Sequence, residues 1–173
     1  MNVLEKDLED LVYETAKKDA NLLRQRGLPI NGYCMRQVNL GDYGIADMVC
    51  FEINDYCIEV QVVELKKEVI NINTLMQAAR YAKPIKDAVE KAFRGNRRHV
   101  FMSIILVGKK IETSGDFVFL LDYTHRASAY TVEIDLEKGV VFNHCAGYRM
   151  VDARPLNIPA FGFKELRKAF SNG

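Results

Sequence analysis

The chain has 173 residues and a formal net charge of +1, with 24 Lys and Arg residues against 23 Asp and Glu residues. This length suits one domain with a full core, and the balanced charge excludes a strongly basic nucleic-acid coat protein. An enzyme that grips a duplex only locally stays compatible with such a balance. Because no linker-like stretch divides the sequence, we expect a single domain over residues 1–173.

The cellular compartment is predicted from three absences. No apolar run approaches the roughly 20 residues that a membrane-spanning helix needs, and the acidic, amphipathic start Met-Asn-Val-Leu-Glu-Lys-Asp is unlike a signal peptide. The cysteines show no CxxC spacing, so reduced, buried thiols are expected at Cys34, Cys50, Cys57 and Cys145. We therefore expect a soluble cytoplasmic protein with no membrane partner.

The first half of the chain predicts a helix followed by three strands. Apolar residues at helical spacing predict a helix from about residue 3 to residue 26, which ends at Gly27. Runs rich in β-branched and aromatic residues then predict strands. They cover residues 33–38, 45–53 and 56–64. The turn pair Asn54-Asp55 between the last two predicts a hairpin.

A second helix is predicted next, capped by Asn71 or Asn73. Pro84 lies inside its pattern and is expected to kink or split the helix near Lys83, because proline removes one backbone hydrogen bond. Gly95 is a natural C-terminal stop for the helix.

The remaining chain is predicted to be mostly strand. Residues 100–107 form a nearly continuous apolar run, which is typical of a buried strand. Three more strands and a short terminal helix are expected at residues 117–122, 129–135, 140–144 and 163–170. These elements divide the domain into a core, about residues 3–108, and a β-rich extension, about residues 109–173.

An acid on one strand faces an acid and a lysine on the next. Asp47 interrupts an apolar run, and Glu64 stands where Ile58, Val60 and Val62 predict another aliphatic residue. A carboxylate in such a place costs stability unless it is paired or binds metal. Glu64 and Lys66 are two residues apart, so on a strand they share a face. The alternative is that all three are ordinary surface charges, since an ExK triplet is frequent by chance.

Such a group suits phosphodiester hydrolysis. Two carboxylates from adjacent strands can converge on one Mg²⁺ or Mn²⁺ ion, and the backbone carbonyl of Leu65 is a further plausible ligand. Lys66 would then lie beside the ion and the phosphate, where it could orient water or stabilise the transition state.

Four motifs occur in a fixed order: Glu5-Lys-Asp-Leu8, Gly44-Ile-Ala-Asp47, Glu64-Leu-Lys66 and Gln77-Ala-Ala-Arg-Tyr81. This ordered set resembles the PD-(D/E)xK nuclease superfamily, and it is closer to the members with a QxxxY motif, such as RecB-type nucleases and the NucS or EndoMS mismatch endonucleases. The resemblance covers about residues 3–108. It implies an α/β fold with a restriction-endonuclease-like core of helix, three strands, helix and strand, in which helices flank a mixed sheet.

The resemblance also implies roles for individual residues. Asp47 and Glu64 would bind Mg²⁺ or Mn²⁺, Lys66 would be the catalytic lysine, and Glu5 would complete the metal site, often through water. Glu9, one helical turn from Glu5, competes for that role.

Gln77 and Tyr81 would line the site and help to position DNA or the ion. The family's proline is Ala46 here, a tolerated variation. The DNA-binding domain of the mismatch group has no counterpart in this sequence, so a homodimer or a partner protein is expected to supply the grip on DNA.

Two questions stay open at the level of sequence. Basic residues along the second helix and its exit could bind the phosphate backbone or form a solvated face: Arg80, Lys83, Lys86, Lys91, Arg94, Arg97 and Arg98. The chain as a whole is predicted to be a metal-dependent nuclease acting on DNA, in repair, defence or the mobility of a genetic element. The alternative is a non-catalytic module that binds nucleic acid or protein and retains the nuclease fold.

Overall fold

A computed structural model describes residues 5–95, 98–113, 115–124 and 126–147. Within these ranges three α-helices and six strands follow one another along the chain. Their bounds are α1 Glu5–Gln25, β1 Tyr33–Asn39, a short 3-10 turn Gly41–Tyr43, β2 Ile45–Ile53, β3 Cys57–Ile70, α2 Ile72–Ala92, β4 His99–Ile111, α3 Gly115–Tyr123, β5 Ala127–Asp135 and β6 Gly139–Gly147.

All six strands form one mixed sheet in sequence order, from β1 to β6. The strands β1, β2 and β3 make an antiparallel meander, β4 and β5 are each parallel to the preceding strand, and β6 is antiparallel to β5. The two parallel connections run through α2 and α3. The expected α/β class and the order of helix, three strands, helix and strand are therefore confirmed. The late strands β5 and β6 extend the same sheet.

Helices cover both faces of the sheet. Val60 and Val62 of β3 pack in a cluster with residues of α2 and α3, whereas Val63 and Leu65 pack in a second cluster with residues of α1. Side chains on a strand alternate between faces, so a strand that is covered on both faces must be apolar at successive positions. This packing explains why a charged residue at position 64 stands out in the sequence.

The strand predicted over residues 117–122 is wrong, because these residues belong to helix α3. Phe117 and Leu121, four residues apart, are buried against the sheet, while Phe119 is exposed. A short apolar run fits a buried strand and a buried helix equally well when only its periodicity is known. The topology decides between them, since β4 and β5 are parallel and a parallel pair needs a crossover connection.

Helix α2 begins as predicted at Asn71, whose side chain accepts a hydrogen bond from the backbone N–H of Thr74 at 3.2 Å. The hydroxyl of Thr74 in turn accepts from the N–H of Asn71, which completes a capping box. Of the predicted kink or split at Pro84, the split is wrong, because the helix continues past this residue to Ala92. No helix in the described ranges is long and apolar enough to cross a membrane.

The structure also corrects the expectation of four reduced cysteines. Cys34 of β1 and Cys50 of β2 are direct partners in the antiparallel register, and they form a disulfide. Both lie in the buried cluster under α1. Cys57 and Cys145 are free thiols. The helix predicted over residues 163–170 lies outside the described residues.

Candidate active site

The carboxylate of Asp47 lies where the ladder between β2 and β3 ends. The last backbone pair in the register joins Met48 to Val63. One residue further along, Oδ2 of Asp47 accepts a hydrogen bond from the backbone N–H of Leu65 at 2.8 Å. The aspartate thus takes the place of a backbone acceptor and is fixed beside the ExK triplet. The predicted hairpin brings Asp47 and Glu64 together, as the sequence led us to expect.

Glu64 is fully buried, with 0% of its side chain exposed. Its Oε1 accepts a hydrogen bond from Nζ of Lys66 at 2.7 Å, which agrees with the prediction that the two residues share a strand face. Its Oε2 is buried and has no hydrogen-bond partner in the part of the chain that the structure describes. A buried polar atom without a partner costs free energy of about 1–3 kcal/mol, and more when it is charged. Only one of the two oxygens of this carboxylate therefore accepts a hydrogen bond.

The electrostatics of the group follow from this burial. Loss of solvent, followed by the charge of Asp47, raises the pKa of Glu64 to about 7, against the opposing effect of Lys66. Burial also raises the pKa of Asp47, although the Leu65 N–H and the charge of Lys66 oppose the change. Two carboxylates that repel each other in a buried place form a site where a cation would lower the free energy.

Lys66 stays a cation in this environment. Burial acts to lower its pKa, but the hydrogen bond that Lys66 donates to Glu64 and the charges of Glu64, Asp47 and Glu5 outweigh it, so the pKa of Lys66 is raised. A lysine of this kind is suited to stabilise negative charge and is a poor proton acceptor near neutral pH.

Two acids of α1 approach the group from different sides. Oε2 of Glu5 accepts a hydrogen bond from the N–H of Lys67 at 3.1 Å, and its Oε1 lies 3.8 Å from Nζ of Lys66. Glu9 is more buried, at 9% exposure, and accepts a hydrogen bond from Nε2 of Gln37 at 2.7 Å. Burial raises the pKa of Glu9, and the charge of Asp47 adds to that rise. Glu5 therefore contacts the end of the ExK triplet directly, whereas Glu9 is linked to the group through the charge of Asp47.

Gln37 is a residue that the sequence did not single out. It follows Arg36 in β1 and belongs to no motif. It lies opposite Asp47, but the sequence does not reveal this position, because it does not predict the register of β1 against β2. Glu9, by contrast, had a signal, since it lies one turn after Glu5 on the same helix.

Gln77 and Tyr81 contact each other, with Nε2 of Gln77 donating to Oη of Tyr81 at 2.9 Å. Tyr81 is 3% exposed, and its hydroxyl would lie 3.1 Å from a Cβ at Gly44. Tyr81 therefore packs against the backbone that leads into Asp47. Among the hydrogen bonds of the described residues, neither side chain bonds to Asp47, Glu64 or Lys66.

Strand β3 continues past the site instead of ending at Glu64. A β-bulge shifts its register against β4 between Lys66 and Val69. A Cβ at Gly108, the partner of Lys66, would lie 2.8 Å from Ile70, so this position has little room for a side chain. Bulges commonly lie next to active sites, where they redirect side chains.

The basic residues of α2 are partly neutralised. Lys83 pairs with Asp87 at 2.7 Å and Lys86 pairs with Glu90 at 2.9 Å, each one helical turn apart. These exposed pairs favour the interpretation of a solvated helix face over a phosphate-binding surface.

The candidate metal donors of this group are all oxygen atoms. Carboxylate and carbonyl oxygens are what Mg²⁺ and Mn²⁺ prefer, and the buried Oε2 of Glu64 beside Asp47 is an oxygen in need of a partner. The residues fit in chemical type. In the described ranges, however, no group of three or more His, Cys, Asp and Glu side chains is arranged to hold an ion.

Comparison of the chain with protein-family models, with curated proteins and with solved structures gives no match.

Proposed function

We propose that this protein is a metal-dependent deoxyribonuclease of the restriction-endonuclease-like type, acting in DNA repair or in the context of defence or a mobile element. One observation carries the proposal. The carboxylate of Glu64 is fully buried beside Asp47 and is hydrogen-bonded to Lys66, yet its Oε2 has no hydrogen-bond partner among the described residues. A protein keeps a buried, half-satisfied charge at a measurable cost in stability. A divalent cation bound at this oxygen would remove that cost.

The order of elements supports the proposal. The motif residues lie on the elements that the PD-(D/E)xK resemblance requires: Glu5 on the first helix, Asp47 on the second strand, Glu64 and Lys66 on the third, and Gln77 and Tyr81 on the following helix. These elements are far apart in the chain, and Glu5 is more than 60 residues from Lys67, to which it bonds. The convergence of Glu5, Asp47, Glu64 and Lys66 is a further reason for treating these four residues as one site.

Each side chain has a role that follows from its contacts. A bound Mg²⁺ or Mn²⁺ ion, held by Asp47 and Glu64 with the carbonyl of Leu65 and Glu5 in support, would supply charge to the phosphate and acidity to water. Lys66 is a fixed cation, positioned by Glu64 at 2.7 Å and by Glu5 at 3.8 Å. It would donate to a phosphate oxygen whose charge grows in the transition state.

The grip on DNA is proposed to come from the same end of the sheet. Lys67 of β3 adjoins Lys66, and Lys109 and Lys110 of β4 follow Gly108, the register partner of Lys66; in the described part of the chain their ammonium groups form no ion pair. Unpaired lysines suit contacts with a phosphate backbone, which carry no sequence preference. A second copy of the chain or a partner protein would extend this surface, in the cytoplasm.

Cleavage assays test the proposal. Purified protein with Mg²⁺ or Mn²⁺ is incubated with single-stranded, duplex, branched and mismatched DNA, and we expect products with a 5′-phosphate. Glu64→Ala should abolish cutting while circular dichroism shows an intact fold. If the wild-type protein cuts none of these substrates with either metal, the enzyme proposal is wrong.

One observation favours a second candidate, a non-catalytic module that binds nucleic acid or protein. Over residues 5–95, 98–113, 115–124 and 126–147, three acidic, histidine or cysteine side chains do not come together in a metal-binding arrangement. Thermal unfolding separates the two candidates. The nuclease should melt at a higher temperature with Mn²⁺, and Asp47→Asn should remove that rise, whereas the module should show no rise.

A further inference from the structure

Two successive residues of β1 reach the same helix, which a regular strand does not allow. Arg36 forms an ion pair with Asp10 of α1, and Gln37 donates from Nε2 to Oε2 of Glu9, also on α1, at 2.7 Å. Side chains on a regular strand point alternately to opposite faces. The exception arises because Gln37 has a φ of +49°, in the left-handed region that residues other than glycine adopt uncommonly.

The irregular backbone of Gln37 lies directly opposite a residue of the proposed metal site. The register pairs Arg36 with Met48 and Val38 with Ala46, so Gln37 stands opposite Asp47. Strained backbone of this kind costs free energy and is found most often at functional sites. At Gln37 its visible result is that the amide turns toward Glu9.

Glu9 needs such a partner. It is nearly buried, and its charge and that of Asp47 act on each other. Among the contacts of the described residues, Gln37 is the only side chain that hydrogen-bonds Glu9. Without the amide, the carboxylate would be free to rotate away from the site.

We propose that Gln37 is a positioning residue of the metal site: its amide, turned by left-handed backbone, holds the carboxylate of Glu9 beside Asp47. This inference rests on the proposed function, with Glu9, the competitor of Glu5, as an α1 acid of the metal site. Groups that orient a metal-binding carboxylate without touching the ion change metal affinity by about 10–100-fold when they are removed. Gln37 acts in this way through Glu9 and touches neither substrate nor ion.

The test uses the full chain and Gln37→Gly. Glycine adopts a φ of +49° without strain, so this variant deletes the amide and leaves the backbone as it is. Gln37 is exposed, so its loss opens no cavity in the core. Mn²⁺ binding is measured by electron paramagnetic resonance of the free ion, and cleavage is measured against Mn²⁺ concentration. We expect about a 10-fold weaker Mn²⁺ affinity, with cleavage restored at saturating Mn²⁺.

Two controls separate the positioning of the Glu9 carboxylate from a general loss of contacts that hold helix α1 in place. Arg24→Ala removes a different link of α1, to Asn31 in the segment before β1, and should leave Mn²⁺ affinity unchanged. In a Glu9→Gln background, Gln37→Gly should have no further effect, because residues that act through one another are not additive. Equal effects in both backgrounds would overturn the proposal.

The outcomes distinguish the two claims. If the wild-type protein binds Mn²⁺ but cuts no DNA, the proposed function fails and the Mn²⁺ titration still decides the role of Gln37. If the wild-type protein cuts DNA and Gln37→Gly binds Mn²⁺ as tightly, only the role of Gln37 is overturned. A wild-type protein that binds no Mn²⁺ overturns both.

Discussion

The backbone N–H of Leu65 donates to the side chain of Asp47 at 2.8 Å, at the point where β2 and β3 stop pairing through their backbones. This bond ties a residue of the proposed metal site to the frame of the sheet. Asp47 therefore has two separable roles: it accepts a structural hydrogen bond from Leu65, and it is proposed to bind the metal ion. Different substitutions can remove these roles one at a time.

Asp47→Asn should keep the hydrogen bond with Leu65 and lose metal binding. The asparagine side-chain oxygen still accepts from the Leu65 N–H, so we expect a stability close to that of the wild type in the absence of metal. DNA cleavage with Mg²⁺ should be lost. Asp47→Ala should also lose cleavage and should unfold about 1–3 kcal/mol more easily, since it leaves a buried N–H without an acceptor. Urea unfolding measures the difference, and equal stability of the two variants would contradict it.

The stability of the metal-free protein should fall as the pH rises. Burial raises the pKa of Glu64 from its ordinary value of 4.5 to about 7, so the folded state binds this proton more tightly than the unfolded state does. Stability is then highest below pH 4.5 as far as this group is concerned, declines through pH 4.5–7, and levels off above pH 7. The raised pKa values of Asp47 and Glu9 act in the same direction.

Glu64→Gln tests this slope in buffers that contain EDTA. The variant cannot ionise at this position, so its urea midpoint should fall less between pH 5 and pH 8, and at pH 8 it should be more stable than the wild type. Added Mn²⁺ should stabilise the wild type and leave the variant unchanged. A variant with the same slope as the wild type would show that Glu64 does not titrate in this window.

Removal of Lys66 should cost activity more than stability of the fold. Lys66→Met keeps a long, unbranched side chain. It removes the cation that donates to Glu64 and that would stabilise the phosphate. We expect cleavage at saturating metal to drop by about 100-fold or more. Lys83→Met is the matched control, because Lys83 forms an exposed ion pair with Asp87 on α2. A similar loss in both variants would mean that general positive charge, and not the position of Lys66, supports cleavage.

The parts of this site that could be predicted from sequence are those set by local periodicity. The spacing of two between Glu64 and Lys66 places them on one face of any strand, and an apolar run broken at Asp47 marks it as unusual. The left-handed backbone of Gln37 has no such signal, because a glutamine in a strand predicts no particular φ. The Cys34–Cys50 disulfide depends on the register of β1 against β2, and helix α3 on a parallel pairing that forms between distant segments.

Gly44→Ala should destabilise the protein through both its backbone and its packing. Gly44 has φ +108° and ψ −155°, a conformation essentially restricted to glycine, and a Cβ there would lie 3.1 Å from the Tyr81 hydroxyl. We expect a loss of about 1–3 kcal/mol in urea unfolding. Gly95→Ala is the control, since Gly95 also has a positive φ, +90°, but a Cβ there would meet nothing within 4 Å. The larger loss should belong to Gly44→Ala, and near-ultraviolet circular dichroism should report a displaced tyrosine in that variant alone. Equal losses with unchanged tyrosine signals would mean that the approach of Tyr81 to Gly44 contributes nothing to the fold.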